Sequence, residues 1–356
     1  MATPEEITRE KTEFLENHPN YRDAIAAVDL AEIRDRNGII THNLKESWTA
    51  KELLEADFPE LDWIVDGIIP VGLSVLAGRP KVGKSWLALQ IANAVGSGGE
   101  LLGMKVKQGK VLYLALEDSP LRLKNRIQKQ GVTPATAGLI TFKTGYPKEN
   151  EGFEQLQLDV MTGQYRIIVI DTISRFMGKV DQMDLTEMTD ISSRLQSLAI
   201  NYDTAILLLD HHKKSNGFNS DVVDDVMGST GKSAAYDTII GLYKERGART
   251  ATLKADGRDL ENYIDLTLDW NSINCTWQNV GESGVILENN NRAKVLEAIG
   301  TLTKLGDLAT TKEIADLAEM KQSHVSRALG ELLDIKKVIK LPKAGRLQPY
   351  ALAEVC

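Results

Sequence analysis

Residues Gly78 to Ser85 read Gly-Arg-Pro-Lys-Val-Gly-Lys-Ser, which meets the pattern G-x-x-x-x-G-K-[ST] at every fixed position. A triphosphate crowds several negative charges onto a few oxygens. A loop holds it by letting backbone N–H groups approach closely, which asks for glycine at Gly78 and Gly83. Lys84 then supplies a point charge to the β- and γ-phosphates, and the Ser85 hydroxyl a ligand to Mg²⁺. The flanks agree. Leu73–Ala77 is a short apolar run with strand character, and residues 85–95 carry apolar side chains at helical spacing. A strand therefore enters the loop and a helix N-terminus leaves it, with its dipole favouring bound anions. Arg79, Pro80, Lys81 and Val82 complete the loop, and Trp86 follows it. This stretch predicts nucleoside triphosphate binding, with ATP and Mg²⁺ as the ligands.

Working outward, the chain from about Trp48 to Asn290 alternates strand-like and helix-like segments, the mark of an α/β fold with a mostly parallel sheet. Strands are predicted at Leu73–Ala77, Val111–Leu116, Ile140–Phe142, Ile167–Ile170, Ala205–Leu209, Thr238–Tyr243 and Thr250–Lys254. Helices are predicted at Pro120–Gln130, Asn150–Thr162 and Met183–Tyr202. Ligands in such sheets bind at the carboxyl ends of the strands, so the residues after each strand matter most.

Three strand ends carry polar groups. The run from Tyr165 ends in Asp171, the arrangement in which an aspartate holds the Mg²⁺ hydration shell beside a phosphate loop; a structural Asp is the plainer alternative. The run from Lys110 ends in Glu117 and Asp118. A carboxylate there can orient the water that attacks the γ-phosphate, while the other caps the helix near Pro120; Asp118 suits the cap better, which leaves Glu117 for catalysis. The run from Ala205 ends in Asp210, His211 and His212. Adjacent histidines on a strand point to opposite faces and chelate poorly, so His211 reads as a γ-phosphate sensor, with a structural histidine as the alternative. Two long polar segments follow these strands, Ser174–Asp184 with Arg175 and Lys179, and Lys213–Gly231 with Lys213 and Lys214. Such loops in a compact domain are commonly functional, and these suggest a grip on a polymer. Gly231-Lys232-Ser233 lacks the upstream glycine of a second phosphate loop.

Composition bounds the rest. The 356 residues are 42% hydrophobic and 26% charged, ordinary for a globular protein. The first residues are acidic and lack the regions of a secretory signal, and no apolar run approaches the ~20 residues of a membrane span. Two cysteines, Cys275 and Cys356, exclude a disulfide framework and suit a cytoplasmic location. Net charge is −8, yet residues 292–350 hold 11 Lys and Arg against 7 Asp and Glu. An acidic body with a basic tail can still engage a polyanion.

That tail changes character. An amphipathic helix at Arg292–Leu302, a capping box at Thr310–Glu313, a helix at His324–Asp334 and two short strands at Val338–Leu341 and Tyr350–Leu352 together read as a winged helix-turn-helix. Its third helix offers Lys321, Gln322, Ser323, His324 and Arg327 to a DNA groove, or to a protein partner. The predicted division is thus a helical segment at residues 1–50, a P-loop domain at 51–290 and a winged helix at 291–356.

With these pieces assembled, the chain resembles the RepA-type branch of the RecA-fold ATPases, the hexameric helicases of plasmids and phages. The resemblance spans about residues 55–270. It rests on the lead-in from Trp63 to Pro70, the phosphate loop with Trp86, the strand ending Glu117-Asp118-Ser119, the strand ending in Asp171, the Asp210-His211-His212 end, and residues 227–235. It implies a RecA-like core, a homo-oligomeric ring or filament hydrolysing ATP between subunits, movement along single-stranded DNA, and replication-protein partners. It also implies that Arg258, helped by Lys254, reaches the neighbouring subunit's nucleotide. A nucleotide-switched DNA-binding regulator or loader is the competing reading, and a small-molecule kinase a third, disfavoured by the absence of a visible acceptor pocket.

Overall fold

The computed structural model describes residues 47–56, 60–134, 137–178, 185–211, 222–227, 236–345 and 347–353. In chain order the elements are α1 (Ala50–Glu55), β1 (Trp63–Val65), β2 (Ile69–Pro70), β3 (Gly72–Gly78), α2 (Lys84–Ser97), β4 (Gly99–Leu101), β5 (Met104–Val106), β6 (Lys110–Ala115), α3 (Pro120–Lys129), β7 (Ile140–Lys143), α4 (Glu149–Gly163), β8 (Tyr165–Asp171), α5 (Ile173–Met177), α6 (Leu185–Asn201), β9 (Ala205–Asp210) and α7 (Val222–Met227). They continue as β10 (Thr238–Tyr243), β11 (Thr250–Gly257), β12 (Ile264–Asn271), β13 (Thr276–Glu282), α8 (Ser283–Leu305), α9 (Thr311–Leu317), α10 (Gln322–Asp334), β14 (Val338–Lys340) and β15 (Tyr350–Leu352).

The main sheet has nine strands in the order β13-β12-β11-β10-β3-β9-β8-β6-β7. Every pairing from β10 through to β7 is parallel, and β11 runs antiparallel to β10. β3 is buried at all seven residues, as a central parallel strand covered on both faces must be. Alternation along the strands places Leu73, Val75, Leu112, Ile168, Ile170, Ile206 and Leu208 in one cluster with Phe153, Leu156 and Val160 of α4 and Met188, Ile191 and Leu195 of α6. Leu87, Ala88, Ile91 and Ala92 of α2 are buried as well. Strand registers bring the carboxyl ends level: Ala77 pairs with Asp210, and Ala115 with Asp171. A smaller sheet, β2-β1-β5-β4, leads into and out of this core.

The predicted strands and helices are present with ends shifted by a few residues, and β12, β13 and the small sheet add to them. The two polar segments are partly helical. Residues 173–177 form α5 and 222–227 form α7, with Val222 and Asp225 buried, so Asp225 is not a loop acid in solvent. Residues 179–184, 212–221 and 228–235 lie outside the described residues, which takes Lys179, Lys213 and Lys214 out of structural account, as it does residues 1–46.

The chain divides into two compact units, one ending at Asn279 and one beginning at Val280, with residues 265–267 grouped with the second. The boundary expected at 290/291 falls inside α8, which runs unbroken from Ser283 to Leu305. The second unit packs α8, α9 and α10 around Val295, Ile299, Ile314, Val325, Leu329 and Leu332, with the β14–β15 ribbon closing on Val338. Its capping box is not formed. Thr310 does sit at the N-cap of α9, but its hydroxyl makes no hydrogen bond, since the residue is buried and bridges to Pro349. A complete capping box occurs instead at Thr49 and Glu52 on α1. Among the described residues, no helix is long and apolar enough to cross a membrane.

Candidate nucleotide site

The phosphate loop joins β3 to α2, and its glycines have distinct steric causes. A Cβ on Gly78 would lie 2.7 Å from the backbone oxygen of Leu242 on neighbouring β10. Gly83 has φ +107° and caps α2 without a side-chain hydrogen bond, leaving the first N–H groups of the helix to an anion. A Cβ there would sit 2.9 Å from Trp277 Cζ2. Arg79, Pro80 and Lys81 are exposed, Lys81 with φ +67°, while Val82 is buried beneath them.

Lys84 is 6% exposed, and its Nζ donates to Gly78 O at 2.7 Å and Arg79 O at 3.1 Å. His211 Nδ1 lies 3.3 Å from the same Nζ. Burial lowers the Lys84 pKa from 10.5 to about 8, against the opposing pull of Asp171, Asp210 and Glu117. An ammonium parked on carbonyls, beside uncapped helix N–H groups, suits a polyanion that would replace both sets of contacts. The donor set therefore fits a triphosphate.

Asp171 closes β8 at the same level. Its Oδ2 accepts from Tyr113 OH at 2.9 Å, and Ser85 hydrogen-bonds to it as well. Burial raises its pKa; the Tyr113 and Ser85 hydrogen bonds act the other way, and Glu117 and Asp118 add to the rise. The Tyr113 hydroxyl is fully enclosed and pushed well above its ordinary range, first by burial and then by Asp171. Tyr113 thus stays a neutral donor that orients Asp171 from behind. Ser85 and Asp171 are the residues that would hold Mg²⁺, which keeps most of its water and takes few protein oxygens.

The two acids after β6 separate cleanly. Asp118 Oδ1 accepts from Arg122 at 3.0 Å and Oδ2 from Arg126 at 2.5 Å. It does not cap α3, because Ser119 does, accepting from Arg122 N at 3.3 Å with Pro120 at the first helical position. Glu117 is half-exposed, and its Oε1 accepts from Thr172 Oγ1 at 2.9 Å and faces Arg175 Nε at 3.6 Å.

Lys84, Ser85, Glu117, Asp171 and His211 therefore converge at one edge of the sheet. Arg258 and Lys254 do not join them. Arg258 follows antiparallel β11, so it lies at the other end, where its backbone N–H donates to Asp237 O at 2.9 Å and its guanidinium faces Asp237 Oδ1 at 3.6 Å. Asp237 also accepts from Leu73 N at 2.8 Å, at the start of β3. The seven residues of β3 put about 20 Å between that point and the loop. Lys254 is only 8% exposed, with its ammonium 5.6 Å from the Tyr243 ring centre. Burial removes it from the surface role expected beside Arg258. Trp86 turns to its own surroundings: its ring meets Trp270 edge-on at 6.0 Å and lies 5.1 Å from the Arg126 guanidinium carbon.

Several contributors escaped the sequence reading. Trp277 is 1% exposed and packs on Gly83; its backbone is clamped by Gln90, whose Nε2 donates to Trp277 O at 2.9 Å while Oε1 accepts from Trp277 N at 2.8 Å. Gln130 ties Trp86 O and Cys275 O, each at 3.0 Å. The one available signal was Tyr113, a lone hydroxyl in an otherwise aliphatic strand.

Residues 41–217 match the AAA domain family. The core is a RecA-like, P-loop ATPase domain with a mixed, largely parallel sheet, and ATP with Mg²⁺ is the general ligand of such domains. Similar curated proteins include the DNA repair protein RadA of Streptococcus pneumoniae, 24% identical over 151 residues (42% of this chain, 32% of that protein). RadA of Helicobacter pylori is 25% identical over 203 residues (54% of this chain, 42% of that protein). The chain thus spans about a third to two-fifths of the length of these relatives. Among solved structures, a DnaB-like replicative helicase aligns with TM-score 0.48 at 14% identity, covering 76% of this chain and 79% of that one. The RadB recombinase aligns with TM-score 0.43 at 16% identity, covering 60% and 92%.

Proposed function

We propose that this protein is an ATP-driven helicase or translocase that acts on single-stranded DNA in the replication of a mobile element, assembled as a ring of identical subunits. The observation that carries the hydrolytic part is the convergence of Lys84, Asp171, Glu117 and His211 at one sheet edge. Lys84 and the α2 N-terminus bind the phosphates, Ser85 and Asp171 hold the metal, and Glu117 takes a proton from the attacking water. Mg²⁺, when bound, neutralises charge on the phosphate oxygens. His211, touching Lys84 and leading out of β9, senses the terminal phosphate.

The DNA part is supported by the resemblance to RepA-type ATPases, by relatives named for DNA repair, and by exposed Arg175 one short helix after Asp171. Three helices and a ribbon make the second unit a winged helix, with Lys321, Gln322, Ser323, His324 and Arg327 all exposed along one end of α10. That face favours a second reading, a DNA-bound regulator or loader that does not unwind. ATP hydrolysis measured with and without single-stranded DNA, alongside assembly mass with ATP, tests the first reading. A rate indifferent to DNA in a monomer overturns it, and stimulated hydrolysis without unwinding of a forked duplex selects the second.

A further inference from the structure

The carboxylate assigned to water activation is held by two donors. Thr172 Oγ1 and Arg175 Nε both approach Glu117 Oε1, at 2.9 and 3.6 Å. Thr172 stands at the N-cap of α5, where a threonine hydroxyl ordinarily accepts from the helix backbone, yet it makes no capping hydrogen bond. Its hydroxyl is directed to Glu117 instead, and Ser174 Oγ lies 2.8 Å from it. The backbone of Glu117 is fixed separately, because Arg122 donates to its carbonyl at 3.3 Å and the next residue, Asp118, is locked by Arg122 and Arg126. Only the side chain of Glu117 has freedom to move.

The two holders differ in exposure. Thr172 is buried and stays in place, whereas the Arg175 side chain is 64% exposed against 45% for Glu117. A general base must present lone pairs to water, and two donors on Oε1 occupy both lone pairs of that oxygen. An ion pair this exposed is weak, so a competing anion can take the arginine. A phosphodiester is suited to do so, since guanidinium matches two phosphate oxygens at once.

We propose that Arg175 is a positioning residue that restrains Glu117 when no nucleic acid is bound, and that a backbone phosphate of single-stranded DNA draws the guanidinium away and frees the carboxylate for hydrolysis. This rests on the reading of single-stranded DNA as the partner. It couples polymer binding to turnover through one side chain, with no movement of the sheet.

The test uses the full-length protein, with steady-state ATP hydrolysis measured with and without an oligothymidylate, in wild type, Arg175→Gln and Arg175→Lys. Arg175→Gln raises the DNA-free kcat roughly two- to fivefold, the range an exposed ion pair supports, with KM for ATP unchanged and the stimulation by DNA reduced by the same factor. Arg175→Lys keeps the charge and a DNA-free rate near wild type. A DNA-free rate in Arg175→Gln at or below wild type overturns the restraint, even where DNA still stimulates the wild-type enzyme. A wild-type rate indifferent to DNA, with Arg175→Gln still faster, upholds the restraint and overturns DNA as its release.

Discussion

Lys84 shows how one buried charge ties binding to pH. Its ammonium is 6% exposed, and burial holds its pKa near 8 instead of 10.5. Below about 8 the lysine is charged in folded and unfolded chains alike. Between about 8 and 10.5 the unfolded chain binds more protons, so this group makes stability rise with pH in that window. A bound polyanion favours the charged form. Binding of a non-hydrolysable ATP analogue near pH 8 is therefore expected to take up about half a proton, and apparent affinity to weaken as pH climbs further. Calorimetry in two buffers of different ionisation enthalpy measures this, and a binding enthalpy independent of buffer refutes it. The neighbouring acids make a second residue-scale expectation. Glu117→Gln retains nucleotide and loses turnover by about 10²–10⁴-fold, whereas Asp118→Asn loosens its pairs with Arg122 and Arg126 and lowers stability first. Single-turnover hydrolysis beside thermal unfolding separates the two.

At the scale of elements, the loop is shaped as much by neighbouring strands as by its own residues. β10 presses its Leu242 carbonyl against Gly78, and β13 lays Trp277 over Gly83. Gly78→Ala is expected to distort the loop and abolish nucleotide binding, because the obstacle 2.7 Å away is backbone and cannot swing aside. Trp277→Ala removes a fully buried indole and lowers stability by about 3–5 kcal/mol, and it weakens nucleotide binding although no phosphate contact is deleted. Denaturant unfolding with a parallel fluorescent-nucleotide titration checks both. An affinity unchanged in Trp277→Ala would show that β13 merely covers the loop.

For the whole molecule, the division at Asn279 and Val280 predicts where the chain tolerates truncation. A chain ending at Glu282 keeps all nine strands and is expected to bind nucleotide, while one ending at Tyr263 loses β12, β13 and the Trp277 packing and fails to. Assembly makes a further prediction. Arg258 lies about 20 Å from its own phosphate loop, a separation set by β3, so any role at a triphosphate is on a second copy. Arg258→Ala is expected to bind ATP and hydrolyse it poorly, with a loss up to about 10³-fold, and to regain activity when mixed with Lys84→Ala. Normal hydrolysis by assembled Arg258→Ala refutes the role, leaving the arginine as partner to Asp237.

The phosphate loop, the carboxyl-end acids and the parallel core were legible in the sequence because each is local: a short pattern, a strand ending in a polar residue, a period of burial. The pairing of Asp118 with Arg122 and Arg126, and the isolation of Lys254, were not, since each depends on which side of an element faces what. Thr310 was placed correctly at a helix start but kept from capping by its bridge to Pro349, 39 residues away. Trp277 lies 194 residues from Gly83 and left no pattern tying them. What the sequence determined is that this chain holds a triphosphate at the end of a parallel strand, because those residue types at that spacing have one good use. The tertiary structure decided which acid is free to act, which cation is buried and what braces the loop, because those depend on neighbours that chain folding alone brings into contact.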